Sequence, residues 1–381
     1  MAAEATSQPG PTSQPGPTGA PRRLLLLYGG RSAEHEVSCI SALHVLQAAD
    51  RDAYEVHLVG ITTDGRWVDA TAAIDAGAGR RALPSPDDLA AGPGIDPVGA
   101  VTAAAGDPSP EGGAPLVVLP LLHGPMGEDG TVQGLLELAG VAYCGAGVAG
   151  SSAAMDKGLS KALLSAAGIP QARWFSVHER HANRLLAGRV ERELGWPAFV
   201  KPANMGSSIG VTQVNGADEL AAAIRGACRY DERVVIEETV RGRELEIGVL
   251  GWPELRASVP GEIHPGHAFY DYDDKYVTGT ARLDVPARLP HGVAAEMARV
   301  AVAACEATRV DSMARVDFFY EQGGRGLLVN EINTIPGFTP ISMYPQLWAA
   351  TGVGYRELID ELVTQAHRRH ERRTRFETRR F

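Results

Sequence analysis

Runs of apolar residues alternate with amphipathic stretches along most of the chain. Leu24–Tyr28 reads as a buried strand, Gly29-Gly30 as a turn, residues 34–49 as a helix with Val37, Ile40, His44 and Val45 on one spacing, and Tyr54–Ile61 as a second strand. Strand, glycine turn, helix and strand make a βαβ unit of a parallel sheet. Residues 70–114, rich in Ala, Gly, Pro and Asp, read as a variable insertion, and Leu116–Leu121 as the next buried strand. A second unit opens near Ala146. Its predicted elements are a helix at 152–167 closed by Gly168 and Pro170, short strands at 174–177, 198–201 and 209–214, a helix at 217–229 and a strand at 233–237. The third contains an alternating strand at 244–250, a polar, aromatic loop at 262–282, a helix at 293–308, strands at 313–320 and 326–333, and a helical end. Residues 1–21 repeat Ser-Gln-Pro-Gly-Pro-Thr and predict a disordered leader.

With 381 residues, 44% hydrophobic and 22% charged, the chain can build several cores. Leu24–Leu27 is far too short for a membrane span, and Tyr28-Gly29-Gly30-Arg31 ends any export-signal core after Arg22-Arg23, so a cytoplasmic protein without membrane association is expected. A net charge of −10 argues against nucleic acid as a partner. The exception is the tail at 367–381, with seven arginines, read as the solvated end of a last helix or a flexible appendage. Cys39, Cys144, Cys228 and Cys305 have no metal-binding spacing and read as reduced core residues. Only four of the 36 basic residues are lysine: Lys157, Lys161, Lys201 and Lys275. Such a bias suggests lysine was kept where a compact ammonium serves a phosphate, although codon usage would give the same pattern.

The strongest chemical pattern lies in the final strand pair. Period 2 places Arg315 and Asp317 on one face, and likewise Glu331 and Asn333. A symmetric turn at Gly323-Gly324 would set Asp317 opposite Glu331 and Arg315 opposite Asn333. Opposed carboxylates repel unless a cation lies between them, and an all-oxygen set selects magnesium or manganese over zinc. Surface charge on an edge hairpin is the alternative, but the intervening apolar residues look core-facing. Magnesium held by few protein oxygens completes its shell with substrate phosphates, which predicts a nucleotide. No P-loop or G-x-G-x-x-G motif is present. Lys201, however, ends a strand before the small-residue loop 202–210, which can fold over phosphates, and Lys157 opens the preceding helix. Glu34 follows the first glycine turn at the carboxyl end of a strand, where open α/β sheets bind ligands; taken alone it could equally be a first-turn carboxylate favoured by the helix dipole.

These residues occur within co-linear strings: Gly29-Gly30-Arg31-Ser32-Ala33-Glu34-His35-Glu36-Val37-Ser38, His123-Gly124-Pro125-Met126-Gly127-Glu128-Asp129-Gly130, Met155-Asp156-Lys157, Val200-Lys201-Pro202 with Gly206-Ser207-Ser208, Phe269-Tyr270-Asp271-Tyr272 with Lys275-Tyr276, Arg315-Val316-Asp317, and Asn330 through Phe338. Together they resemble the D-alanine–D-alanine ligase family of the ATP-grasp superfamily from Arg22 to about Ala366.

The resemblance implies an α/β, three-domain ATP-grasp fold: leader 1–21, an N-terminal Rossmann-like substrate domain at 22–145, central and C-terminal ATP-grasp domains at 146–238 and 239–366, a lid at 262–282 and a basic tail at 367–381. It implies ATP held by Lys157, Lys201, Ser208, Glu237, the backbones of Glu238 and Val240, and Glu244. Asp317, Glu331 and Asn333 would ligate two magnesium or manganese ions. Glu34, Ser207, Lys275, Tyr276, Arg315 and Gly337 would be catalytic, with Arg315 and the Gly337 N–H forming an oxyanion site. His123, Ser342 and Met343 would bind substrate. The implied reaction joins two D-alanines through an acyl phosphate for peptidoglycan synthesis, by a homodimer. A D-alanine–D-lactate ligase is the near alternative, against which Tyr276 argues, and an inactive nucleotide-binding regulator the distant one.

Overall fold

The structure, a computed structural model, describes residues 21–72, 89, 91–105, 116–183, 185–264 and 282–377. The leader, most of the 70–114 insertion and the lid centre, including Lys275 and Tyr276, lie outside the described residues.

Three sheets follow one another along the chain. The first contains β1 (Arg22–Gly29), β2 (Tyr54–Ile61), β3 (Trp67–Asp69), β4 (Gly94–Ile95), β5 (Leu116–Pro120) and β6 (Ala142–Tyr143), in the order β4-β3-β2-β1-β5-β6. β1 is parallel to both β2 and β5, as the βαβ pattern predicts. The uninterrupted run Leu24–Leu27 has a direct cause. Leu24 and Leu26 face helices His35–Ala48 and Tyr355–Arg373, whereas Leu25 and Leu27 face helices Pro97–Ala105 and Thr131–Leu138, and all four leucines are fully buried. The insertion is therefore not featureless: β4 and the helix Pro97–Ala105 extend and cover this sheet.

The second sheet, β7 (Trp174–His178), β8 (Ala198–Pro202), β9 (Thr212–Val214) and β10 (Arg233–Glu238), is antiparallel in the order β7-β10-β8-β9. The third, β11 (Arg243–Gly251), β12 (Arg256–His264), β13 (Arg282–Asp284), β14 (Ser312–Glu321) and β15 (Gly326–Asn333), runs β13-β12-β11-β14-β15. Each buries one face under helices. Val200, Val234 and Ile236 pack beneath helices Leu185–Glu193 and Ala217–Ala227, and Ile247, Val316 and Phe318 pack against helix Val293–Thr308. The opposite faces carry the polar alternates, among them Lys201 and Glu237 on one sheet and Glu246, Arg315 and Asp317 on the other.

Several predicted elements change form. The helix expected over 152–167 is two helices, Val148–Met155 and Lys157–Ala166, broken at Asp156, which takes an extended conformation and caps the second by accepting from the Leu159 N–H at 2.9 Å. Only Thr212–Val214 of the strand expected over 209–214 is extended, because the preceding residues turn. Helix Leu185–Glu193, amphipathic with Leu186 and Val190 buried, and strand β12 are additional to the predicted elements, and β12 takes residues 262–264 from the expected loop.

The last helix crosses the linear partition. Leu358, Ile359, Leu362 and Val363 complete the core of the first sheet. The basic tail is helical to Arg373 rather than wholly solvated, and Arg369 is 4% exposed. Its guanidinium donates to the carbonyls of Gly145 (2.6 Å) and Tyr143 (2.8 Å) and to Asp311 (2.8 Å), tying all three to one helix. All four cysteines are free thiols; Cys144 and Cys305 are buried, and Cys39 and Cys228 are half-buried.

Candidate active site

β1 lies between β2 and β5, so the chain leaves it first to one side and later to the other. The carboxyl ends of β1 and β5 are thus the crevice where such sheets bind ligands. Gly29 ends β1 at φ +88°, and a Cβ there would stand 2.2 Å from the Ile61 carbonyl oxygen, so only glycine makes the turn. Ser38 fixes the two loops together: its hydroxyl accepts the Gly29 N–H at 2.7 Å and donates to the Leu121 carbonyl at 2.6 Å. Glu34 is 8% exposed and is not an ordinary solvated helix-start carboxylate. It lies against Gly206 of the central loop, whose Cβ, if present, would be 3.5 Å from Glu34 Oε2.

The 123–130 loop brings in His123. Its Nδ1 is 3.0 Å from the Ile335 carbonyl, so Nδ1 carries the proton. Burial lowers the imidazole pKa, keeping the ring neutral, and Nε2 faces inward as an acceptor without a hydrogen-bond partner among the described residues. Glu34, His123, Ser207, Arg315, Gly337 and Ser342 all line one cavity of about 460 Å³, and Met343 also borders it. Ser342 stands at the N-terminus of helix Met343–Thr351, and its hydroxyl would meet a Gly337 Cβ at 3.1 Å. A carboxylate entering there would meet that helix end.

A smaller recess adjoins this cavity through Glu128, Gly206, Glu331 and Asn333. Lys157 Nζ donates to the Met205 carbonyl at 2.5 Å and lies 3.9 Å from Glu331. Lys201 Nζ donates to Glu237 Oε2 at 2.8 Å, and Lys161 stands 3.3 Å from Oε1. Burial alone would raise the Glu237 pKa, but the two lysines outweigh it and hold the carboxyl down at about 2. Burial in turn lowers the pKa values of Lys157 and Lys161. Lys161 is the residue this part of the sequence conceals: it lies outside every quoted string, and its signal is its rarity and its place one turn after Lys157.

The residues expected on the nucleotide side divide. Ser207 and Ser208 both adopt left-handed φ, at 50° and 58°, in the turn after β8. Glu237 spends its carboxylate on the lysines, while the Glu238 side chain points away to Arg173 and Arg325. The Glu238 N–H donates to the Arg173 carbonyl at 3.0 Å, and the Arg173 N–H returns to the Glu238 carboxylate at 2.8 Å. Val240 and Glu244 are half-buried on either side of the step from β10 into β11.

The hairpin register is the expected one, by an unexpected route. Arg315 pairs with Asn333 and Asp317 with Glu331, but Phe318 pairs with Val329 and Glu321 with Gly326. The turn is centred half a residue before the assumed position, which shifts each pairing by one, and a bulge at Asn330 restores the register. Glu246 of β11 pairs with Asp317 on its other side, making a row of three carboxylates where the sequence suggested two. Its signal is the alternation Glu244-Leu245-Glu246-Ile247. Arg315 bridges the row: Nε is 2.7 Å from Asp317 Oδ1 and 3.0 Å from Glu246, and Nη2 is 2.8 Å from Asp317 Oδ2. Asn333 Nδ2 donates to Asp317 Oδ2 at 3.0 Å, turning its amide oxygen outward. This oxygen-only set beside two lysines suits hard divalent cations that carry phosphates. Among the described residues one further group has ligand-like spacing, Glu262, His264 and Asp284, but Glu262 is already held bidentately by Arg243.

Two antiparallel sheets that close their polar faces over lysines and carboxylates, with a glycine-serine loop between them, define an ATP-grasp protein. Residues 23–146 match the family described as D-ala D-ala ligase N-terminus, and residues 163–364 that described as D-ala D-ala ligase C-terminus. The chain belongs to the D-alanine–D-alanine ligase family. It is 46% identical over 367 residues to a D-alanine–D-alanine ligase of Kineococcus radiotolerans, covering 91% of this chain and 97% of that protein. It is 42% identical over 354 residues to one of Bacillus cytotoxicus, covering 92% and 96%. Among solved structures it is similar to the D-alanine–D-alanine ligase of Coxiella burnetii (TM-score 0.79, 34% identity, 93% of this chain and 97% of that one). It is also similar to a D-Ala:D-Ser ligase of Enterococcus faecalis (TM-score 0.76, 30% identity, 91% and 99%) and to the ATP complex of the Bacillus anthracis D-alanine–D-alanine ligase (TM-score 0.71, 25% identity, 93% and 100%).

Proposed function

We propose that this protein is an ATP-dependent ligase that joins two molecules of D-alanine to give D-alanyl-D-alanine for peptidoglycan. The observation that carries the reading is the convergence of Glu34 and His123 with Ser207, Arg315, Gly337 and Ser342 on one cavity that opens onto the lysine and carboxylate recess. In this reading Lys157 and Lys201 hold ATP phosphates under the Ser207-Ser208 turn. Glu237, the backbones of Glu238 and Val240, and Glu244 hold adenine and ribose. Asp317, Glu331 and Asn333 hold two magnesium or manganese ions, which when bound spread the charge of the transferred phosphoryl group.

The carboxylate oxygen of the first D-alanine attacks the γ-phosphorus, ADP leaves, and an acyl phosphate results. The amine of the second D-alanine, after losing its proton, attacks the acyl carbonyl; phosphate then departs with the C–O bonding pair. Glu34 pairs with the first ammonium, and neutral His123 offers Nε2 as an acceptor beside the same substrate. Arg315 and the Gly337 N–H receive the oxyanion, where such donors are worth about 3–4 kcal/mol each. Ser342, at its helix end and beside Met343, takes the second carboxylate. The reading gives Lys275 and Tyr276 the task of excluding water from the acyl phosphate. No described helix is long and apolar enough to cross a membrane; action in the cytoplasm and assembly as a homodimer are the expectations that follow from the family.

The test is mass spectrometry of the products formed from ATP, magnesium and mixtures of D-alanine, D-lactate and D-serine. ADP with D-alanyl-D-alanine as the main product supports the reading. A depsipeptide or a D-serine dipeptide as the main product, or no ADP, overturns it.

A further inference from the structure

The loops after β5 and β15 are about two hundred residues apart in sequence and meet at Ile335. Side chains of the first loop take both polar backbone groups of that residue. His123 Nδ1–H donates to its carbonyl at 3.0 Å, and its N–H donates to Glu128 Oε1 at 3.2 Å. The other Glu128 oxygen, Oε2, accepts the Gly124 N–H at 2.8 Å. One carboxylate therefore joins the backbone next to His123 to the backbone two residues before Gly337. We propose that Glu128 is a positioning residue: it sets the spacing between the His123 loop and the Gly337 loop, so that groups on both face the same substrate. This rests on the ligase reading above.

Glutamate is specified by the donors it meets. Two N–H groups require two acceptors, and glutamine offers one while turning its own N–H₂ towards the other donor. Aspartate is a methylene short of spanning the gap. The site is also costly for an acid, since burial, reinforced by Glu34 and Glu331, pushes the Glu128 carboxyl up to about 8. An apolar side chain would avoid that cost but strand the Gly124 and Ile335 N–H groups, so the acid is there for the two backbones it joins.

The experiment compares full-length wild type, Glu128→Gln and Glu128→Asp. It measures steady-state kinetics with ATP, magnesium and D-alanine, ADP binding by calorimetry, and amide exchange at Gly124 and Ile335. For Glu128→Gln we expect kcat to fall by roughly ten- to a hundredfold and the KM for D-alanine to rise, with the ADP-binding stoichiometry and the KM for ATP within about twofold of wild type. Exchange should accelerate about tenfold or more at Gly124 or Ile335, whichever N–H loses its acceptor. A kcat within about threefold of wild type, or a loss of turnover matched by an equal loss of ADP-binding sites, overturns the proposal. If the glutamine variant does not fold, the aspartate variant is read by the same criteria. Failure of the wild type to form dipeptide counts against the ligase reading instead, and the exchange rates of the variants still decide whether Glu128 holds the two loops.

Discussion

Lys201 and Lys161 share the single carboxylate of Glu237, at 2.8 Å and 3.3 Å. Two ammonium groups that would repel one another are thus kept side by side, and Lys161 lines the recess next to the main cavity. Glu237→Gln should raise the KM for ATP by about tenfold or more, because each lysine loses a charged partner and gains freedom. It should also change acid stability. The Glu237 pKa is about 2 in the folded protein and near its ordinary 4.5 when unfolded, so its stabilisation is present above the higher value and is lost as the pH falls towards the lower. Urea denaturation of wild type between those pH values should lose up to about 3 kcal/mol from this group, a slope the glutamine variant should lack. Parallel curves for the two proteins would contradict this.

Asp317 is central to the carboxylate row and is bonded by both Arg315 and Asn333. Asp317→Asn should abolish dipeptide formation at every magnesium concentration, because the amide cannot replace the carboxylate towards either a cation or Arg315. Turnover near the wild-type level at high magnesium would remove Asp317 from the metal set.

Ser38 bonds the Gly29 N–H and the Leu121 carbonyl in a fully buried position. Ser38→Ala strands both groups and should cost about 2 kcal/mol in thermal or urea unfolding. Since these groups shape the loops carrying Glu34 and His123, the KM for the first D-alanine should rise more than that for ATP. Equal changes in the two would mean that the loops are held by other contacts.

Arg369 is buried among the carbonyls of Tyr143 and Gly145 and the carboxylate of Asp311. Arg369→Met keeps much of the bulk but leaves two carbonyls without this donor and Asp311 to water, so calorimetry should show a loss of about 2–3 kcal/mol. Arg369→Lys should recover only part of it, as an ammonium cannot reproduce the fork. A melting temperature unchanged by Arg369→Met would contradict a bracing role for the last helix.

The chain by itself determined whatever depends on local periodicity. Two-residue alternation put Arg315 with Asp317 and Glu331 with Asn333, and the apolar run at Leu24–Leu27 required a strand covered on both sides. The glycine turn at Gly29 and the co-linear strings marked both the fold and the family. Tertiary structure alone decided how separate stretches combine. A bulge at Asn330, invisible to a symmetric hairpin argument, restored the Asp317–Glu331 pair, and the neighbouring strand added Glu246 as a third carboxylate. Lys161 gained its meaning only when the central sheet set Glu237 beside it, and Arg369 only when the last helix packed against the first sheet. The physical reason is common to these cases. Hydrophobic period is a property of neighbours in sequence, whereas a buried charge is tolerated only where a partner from another part of the chain meets it, and that partner is chosen by packing.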